Sequence, residues 1–210
     1  MAIGLSIKST QEAMILSKWK DLVNECATLL SKITSNISVM FGQSGGVNEV
    51  LLYGAGDEEQ RRQAGLNNLL CIYYTMILAN KSIDVCLPTL RSETIFRCLI
   101  NARQKSDVKI RLILYDDCKK KYTDVLKKHG VEIKVVKSTV KLEHQFILID
   151  VTDREAVAII GSLDYDVNHV NLNTDNTLLI SDTNAVAPLK REFERIWNKS
   201  DLVNVKNIYM

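Results

Sequence analysis

The chain has 210 residues, 46% of them hydrophobic and 25% charged, with a formal net charge of +2 at pH 7. Those are ordinary globular proportions, with room for one substantial core or for one domain plus an appendage. So small a net charge excludes any argument for nucleic-acid binding from charge balance alone.

Residues 9–35 read as one helix, opened by Ser9 and Glu12 at capping-box spacing. Ile15, Trp19, Leu22, Cys26, Leu29 and Ile33 then repeat at alternating steps of four and three, an apolar seam suited to a partner helix or to the chain's own domain. GQSGG at 42–46 reads as a linker, which divides the chain into an amphipathic helix and linker over 1–46 and a domain over 47–210. Strands and helices alternate from there. NEVLLY is a strand, 61–79 a helix, SIDVCL a strand, 93–105 a helix, VKIRLIL a strand and 119–129 a helix ending at Gly130. VEIKVV, LEHQFILI, AVAII and NTLLIS are further strands, and 185–198 is a closing helix. Strands separated by helices predict an α/β sandwich with a mainly parallel central sheet. The glycines of Gly54-Ala55-Gly56 echo a dinucleotide loop, but Asp57, Glu58 and Glu59 follow where a phosphate would be repelled, so the segment reads as a turn. No internal repeat is visible.

Five cysteines (Cys26, Cys71, Cys86, Cys98, Cys118) are odd in number, lack C-x-x-C spacing and mostly stand in apolar surroundings. They read as reduced core residues of a cytosolic or nuclear protein. With only His129, His144 and His169 beside them, no zinc site and no cofactor is expected. No run reaches the roughly 18–20 apolar residues of a membrane span. The first residues also lack signal-peptide character. The expectation is a soluble, cytoplasmic protein.

Three pieces, in order, carry a family resemblance: SIDVCLPTLRSETIFRCLINARQKSDVKIRLIL; then LEHQFILID, AVAIIGSLD and DNTLLISD; then FERIW. Together they resemble the phospholipase D superfamily, in particular its single-motif branch, the mitochondrial cardiolipin hydrolase / Zucchini endonuclease family. The resemblance implies a phosphodiesterase fold bearing H-x-K-x(4)-D followed by G-S-x-N. In that chemistry a histidine attacks phosphorus, lysine and asparagine neutralise the developing oxyanions, and a second histidine protonates the leaving oxygen. One motif per chain implies two chains per site, which agrees with the missing repeat.

Set on this sequence, Asp150 fixes the register. The lysine position is then Gln145, the nucleophile position Glu143, the serine Ser162, and the asparagine position Asp164. Asp150, Gly161 and Ser162 fit the pattern, but the histidine, the lysine and the asparagine are all gone, so no intact catalytic set remains. His144 is the candidate rescue residue, but successive strand side chains face opposite sides, so it would need a bulge to turn inward. In a symmetric dimer Glu143 and Asp164 would put four carboxylates where a phosphodiester should sit. Like charges a few ångströms apart cost about 1–4 kcal/mol per pair. Such a cluster could instead take a divalent cation.

Eight lysines (119, 120, 121, 127, 128, 134, 137 and 141) stand between 119 and 141 against Asp124 and Glu132. In the family, basic surface near the groove implies contact with single-stranded RNA, for which Lys119, Lys120, Lys121, Lys134, Lys137 and Lys141 are the candidates. In HVNLNTDN, Asp175 and Asn176 sit where the family has an acid and an asparagine, and are read as scaffold. The resemblance implies a catalytically degenerate scaffold or regulator, homodimeric or paired with an active relative, in small-RNA (piRNA-type) processing. It would reach the mitochondrial surface only through a partner. The rival is an active phosphodiesterase on single-stranded RNA or cardiolipin with an altered residue set.

Overall fold

A computed structural model describes residues 48–52, 56–105, 107–116, 120–152, 156–161 and 176–199. The chain divides into two units, Met1–Gly45 and Gly46–Met210, and all described residues belong to the second. The helix read over 9–35, with Ile15, Trp19, Leu22, Cys26, Leu29 and Ile33, lies outside them.

The strands are β1 (Asn48–Leu52), β2 (Ser82–Thr89), β3 (Lys109–Asp116), β4 (Glu132–Val135), β5 (Phe146–Ile149), β6 (Val157–Gly161) and β7 (Asn176–Ile180). The helices are α1 (Glu58–Ile77), α2 (Glu93–Lys105), α3 (Lys120–Lys128) and α4 (Thr183–Asn198). α1 starts earlier than the sequence reading placed it. Asp57 caps it, accepting from Gln60 N at 2.9 Å while Gln60 Oε1 accepts from Asp57 N at 3.1 Å. This reciprocal box was legible as Asp-x-x-Gln. Gly130, with φ of +81°, stops α3 in the left-handed conformation that glycine adopts without a Cβ clash.

All seven strands form one sheet in the order β1-β7-β6-β5-β2-β3-β4. β2, β3 and β4 run parallel, each reached through a helix, while the other four junctions are antiparallel. The expectation of a mainly parallel sheet is therefore corrected to a mixed one. Parallel neighbours need a helical crossover, and no helix separates β5 from β6 in the sequence.

Helices α1, α2 and α3 cover one face. Ile72, Met76, Ile95, Leu99 and Leu126 meet Ile83, Val85, Ile110, Leu112, Ile147 and Ile149 there. α4 covers the other face, with Val186, Phe193 and Ile196 on Cys86, Ile113, Phe146, Leu148 and Ala158. The central strands are apolar on both sides because both sides are covered. Each fully buried aliphatic or aromatic side chain contributes about 1.5–3 kcal/mol of transfer free energy. Cys86 and Cys98 are buried and Cys71 is half-buried, all as free thiols. Burial, with Glu192 adding to it, pushes the Cys86 thiol up to about 12, so it behaves as a core residue.

α4 is fastened electrostatically as well. Arg111 on β3 donates to both carboxylate oxygens of Asp84 on β2, each at 2.7 Å, and reaches Glu194 on α4 at 2.7 and 3.3 Å. Its guanidinium carbon lies 4.8 Å from the ring centre of Phe193 and 5.3 Å from that of Trp197. Asp84 and Arg111 are register partners in the parallel pair, which is what aligns the carboxylate with the guanidinium. At the carboxyl end of α4, Lys134 donates to the carbonyls of Trp197 and Lys199.

Candidate functional site

The carboxyl ends of β2, β3 and β4 and the amino end of β5 lie at one end of the sheet, because β5 runs antiparallel to β2 with Cys86 opposite Phe146. That is where ligands enter open α/β sheets in general. Glu143 and Gln145 are found here, just before β5, the first exposed and the second half-buried. The strand is shorter than the sequence reading of 142–149, beginning at Phe146. Pairing nevertheless continues one step further, as Gly161 N donates to Gln145 O at 3.4 Å.

Gly161 is required by close approach. A Cβ there would come within 2.9 Å of Asn176 O and of Thr177 Oγ1 on β7. Gly161 and Gln145 therefore sit side by side at the amino end of β5, with the fully buried Thr177 of β7 as the next strand's residue. Ser162, Asp164, His169 and Asp175 lie outside the described residues.

His144 points the other way. Its Nε2 lies 3.0 Å from Glu192 Oε1 on α4. Leu142, Phe146 and Leu148 pack on the same side, against the α4 core. With even-numbered residues facing α4, ordinary alternation assigns Glu143 and Gln145 to the side of Ile147 and Ile149. No bulge interrupts β5, which pairs regularly from Phe146↔Ile160 to Ile149↔Val157.

Asp150 occupies the far end of β5, roughly 16 Å along the strand from Gln145 at about 3.3 Å per residue. Its carboxylate accepts from the backbone N–H of Asn80 (2.8 Å), Lys81 (2.7 Å) and Ser82 (2.9 Å). Its own N–H donates to Ser82 O at 2.9 Å. With φ of +50° it stands in the left-handed region that aspartate tolerates better than most residues. Asp150 is thus a structural clamp joining the end of β5 to the start of β2, far along the strand from Glu143 and Gln145.

Topology divides the lysine run. Lys120 and Lys121 open α3 after β3, and Lys137 and Lys141 lie between β4 and β5, so these four belong to the site end of the sheet. All four are exposed, whereas Lys127 and Lys128 end α3 at the opposite side of the sheet. Lys134 is held by the α4 carbonyls described above and so does not share the solvent-facing role of the others. Lys119 lies outside the described residues. Among the described residues, no group of three or more His, Cys, Asp or Glu comes together as a metal site, and no helix is long and apolar enough to cross a membrane.

The α4 carboxylates give the domain an acid limb. Hydrogen bonds from Arg111 hold Glu194 below the ordinary glutamate value of 4.5. Arg195, and to a smaller extent His144, do the same for Glu192. A depressed folded-state value means stability fully present above the unfolded pKa and lost as pH falls through the folded one. The share of stability these two glutamates carry should therefore hold on acidification to about pH 5 and be lost below about 4.5, and Glu194→Gln should remove part of that loss. Thermal melts at stepped pH check both.

Among the described residues, a seven-stranded mixed sheet with three helices on one face and one on the other, and with Asp150 tying the end of β5 to the start of β2, forms an α/β domain. The chain belongs to the PLD-like family described as "Cardiolipin synthase, PLD-like domain", which matches residues 73–197. Among curated proteins it is 29% identical over 126 residues to mitochondrial cardiolipin hydrolase of Xenopus laevis, covering 59% of this chain and 58% of that protein. It is 27% identical over 129 residues to the Mus musculus protein of the same name, covering 60% and 56%. The matched region thus spans less than two thirds of these relatives. Among solved structures, NucT from Helicobacter pylori superposes with a TM-score of 0.56 at 14% identity, covering 72% of this chain and 95% of that one. A phospholipase D family member, Nuc from Salmonella typhimurium, gives 0.55 at 12% identity with the same coverage. At these identities the structural likeness concerns the fold.

Proposed function

We propose that this PLD-like domain has kept the family's fold and lost its chemistry, and that it works by binding, as a scaffold or regulator. The observation that carries this reading is the pair Glu143 and Gln145. The regular pairing of β5 and the hydrogen bonds at Asp150 support the register counted back from Asp150, in which a carboxylate and a neutral amide would stand where nucleophile and lysine are needed. A glutamate nucleophile would form an acyl-phosphate with no cation at the lysine position to stabilise the oxyanions. His144 is turned to Glu192 on α4 and does not replace the lost histidine. Lys120, Lys121, Lys137 and Lys141 at the same end of the sheet support single-stranded RNA as the bound polyanion, held without cleavage. The partner would be a second copy or an active relative, in small-RNA processing and at the mitochondrial surface, a placement supported by relatives whose names are mitochondrial.

The test is cleavage of labelled single-stranded RNA and of cardiolipin by the purified protein, beside the triple variant Glu143→His, Gln145→Lys, Asp164→Asn. The native protein should leave both substrates intact, and the triple variant should gain RNA cleavage. Cleavage by the native protein that survives His144→Ala and Glu143→Gln would have to come from outside this motif, and cleavage lost with either variant would overturn the reading directly.

A further inference from the structure

Residues 136–145 cross the site end of the sheet between β4 and β5, within a stretch described without a break from 120 to 152. They are fastened at both ends. Val136 N donates to Leu114 O at 2.7 Å, which carries the β3–β4 pairing one residue past β4. At the far end Leu142 is buried on the α4 side and His144 lies against Glu192. Residues 137–141, in between, have no such burial: only Ser138 is even half-buried, and Val140 is 76% exposed. Apolar packing therefore does not order this turn, and the work falls to hydrogen bonds. Tyr115, near the carboxyl end of β3, donates its hydroxyl to Ser138 O at 2.9 Å. Its ring is half-buried against the α4 core, so the hydroxyl stands on a packed stem. Ser138 Oγ in turn accepts from Val140 N at 3.2 Å, the two-residue reach by which a serine closes a turn. Lys137 and Lys141, both exposed, flank that turn.

We propose that Tyr115 is a positioning residue for polyanion binding: its hydroxyl fixes the turn over 137–141 so that Lys137 and Lys141 meet phosphates of one strand together. The proposal rests on the reading of this end of the sheet as a single-stranded RNA face, and it adds the residue that gives the face its shape. Charge alone attracts a polyanion from any geometry, but a lysine releases a counterion only where it sits at a phosphate. Without its anchor, the exposed turn lets the two ammonium groups spread over many positions, and each contact must then order backbone as well as side chain. The hydroxyl grips the main chain of Ser138, so the anchor acts on the turn as a unit. Tyr115, packed in the α4 core, acts through the lysines and not by stacking on a base.

Binding of labelled oligouridine is measured across salt concentrations for the full chain, for Tyr115→Phe, for the pair variant Lys137→Ala, Lys141→Ala, and for all three changes combined. The pair variant should lower the slope of log K against log salt by about 1.4, at about 0.7 per phosphate contact. Tyr115→Phe should weaken binding about threefold to tenfold and reproduce part of that fall in slope, although every lysine is present. Added to the pair variant, it should change affinity by less than about twofold, since the lysines it positions are gone. Phenylalanine keeps the packed ring, so the variant folds. Hydrogen exchange without RNA should show the Val140 amide losing at least about fivefold of its protection while the β3 amides keep theirs. Unchanged Val140 protection overturns the proposal whatever the RNA result. So does native-like binding by Tyr115→Phe while the pair variant is weakened, an outcome that leaves the RNA reading standing. Equal weakening with and without the lysines overturns it too, because the hydroxyl then acts elsewhere. No binding by the native chain, or none lost in the pair variant, overturns the RNA reading itself, and the proposal falls with it.

Discussion

Arg111→Ala is expected to destabilise the domain by about 3–5 kcal/mol, the usual cost of removing one partner from a buried ion pair. In a chain of this size that lowers Tm by roughly 6–20 °C. The reason lies with what is left behind. Asp84 is 1% exposed, and its carboxylate would lose both donors at 2.7 Å. Glu194 would lose its link to the sheet, and the rings of Phe193 and Trp197 their cation. Burial already pushes the Asp84 carboxyl above its ordinary range against the pull of Arg111. Without the arginine the acid is better accommodated protonated, so the deficit should shrink on mild acidification, opposite in sign to the acid limb of the native protein. The double substitution Asp84→Leu, Arg111→Met should recover most of the loss, because apolar residues of similar volume often replace a buried pair at little cost. Urea titrations at two pH values check all three statements. A loss under about 1 kcal/mol for Arg111→Ala would mean that the pair is hydrated.

Asp150→Ala should be comparably severe, on the order of 3–5 kcal/mol, since it strands three backbone donors at the start of β2 and puts alanine into a left-handed conformation. Each of those donors lies within 2.9 Å of the carboxylate. Asp150→Asn keeps one acceptor oxygen and a side chain that tolerates φ of +50°, so it should cost roughly half as much. Hydrogen exchange gives the residue-level check: protection of the Asn80, Lys81 and Ser82 amides should fall first. If Asp150→Ala instead left stability unchanged and altered only a binding or cleavage activity, the clamp interpretation would be wrong. Because Asp150 is far from Gln145 along β5, this substitution also separates loss of fold from loss of site.

Much of this was written locally. The apolar runs FILI, KIRLIL and SIDVCL are strands as read, and the helices at 93–105 and near the carboxyl end stand within two residues of their expected bounds. The start of α1 was missed although Asp57 and Gln60 spell a capping box, because the acidic run after Gly56 was weighed only as a phosphate repellent. The sheet's direction was misjudged where connections are short: the rule that helices separate parallel strands was applied to the whole chain when it held only for β2 to β4. The opposed facing of His144 followed from alternation alone, but its contact with Glu192, 48 residues later, did not.

The division has a physical reason. Periodicity and turn chemistry are properties of neighbouring residues, so the sequence by itself determined that this is an α/β chain and where most of its strands lie. Which charges are buried together depends on how distant segments meet. Only the tertiary structure paired Arg111 with Asp84 across two strands and Glu194 across a layer, closed Asp150 onto the amides of 80–82, and drew Lys134 away to cap α4. It likewise set β1 last in the order of the described strands, with Val50 and Leu52 exposed, because pairing order is a property no single strand carries.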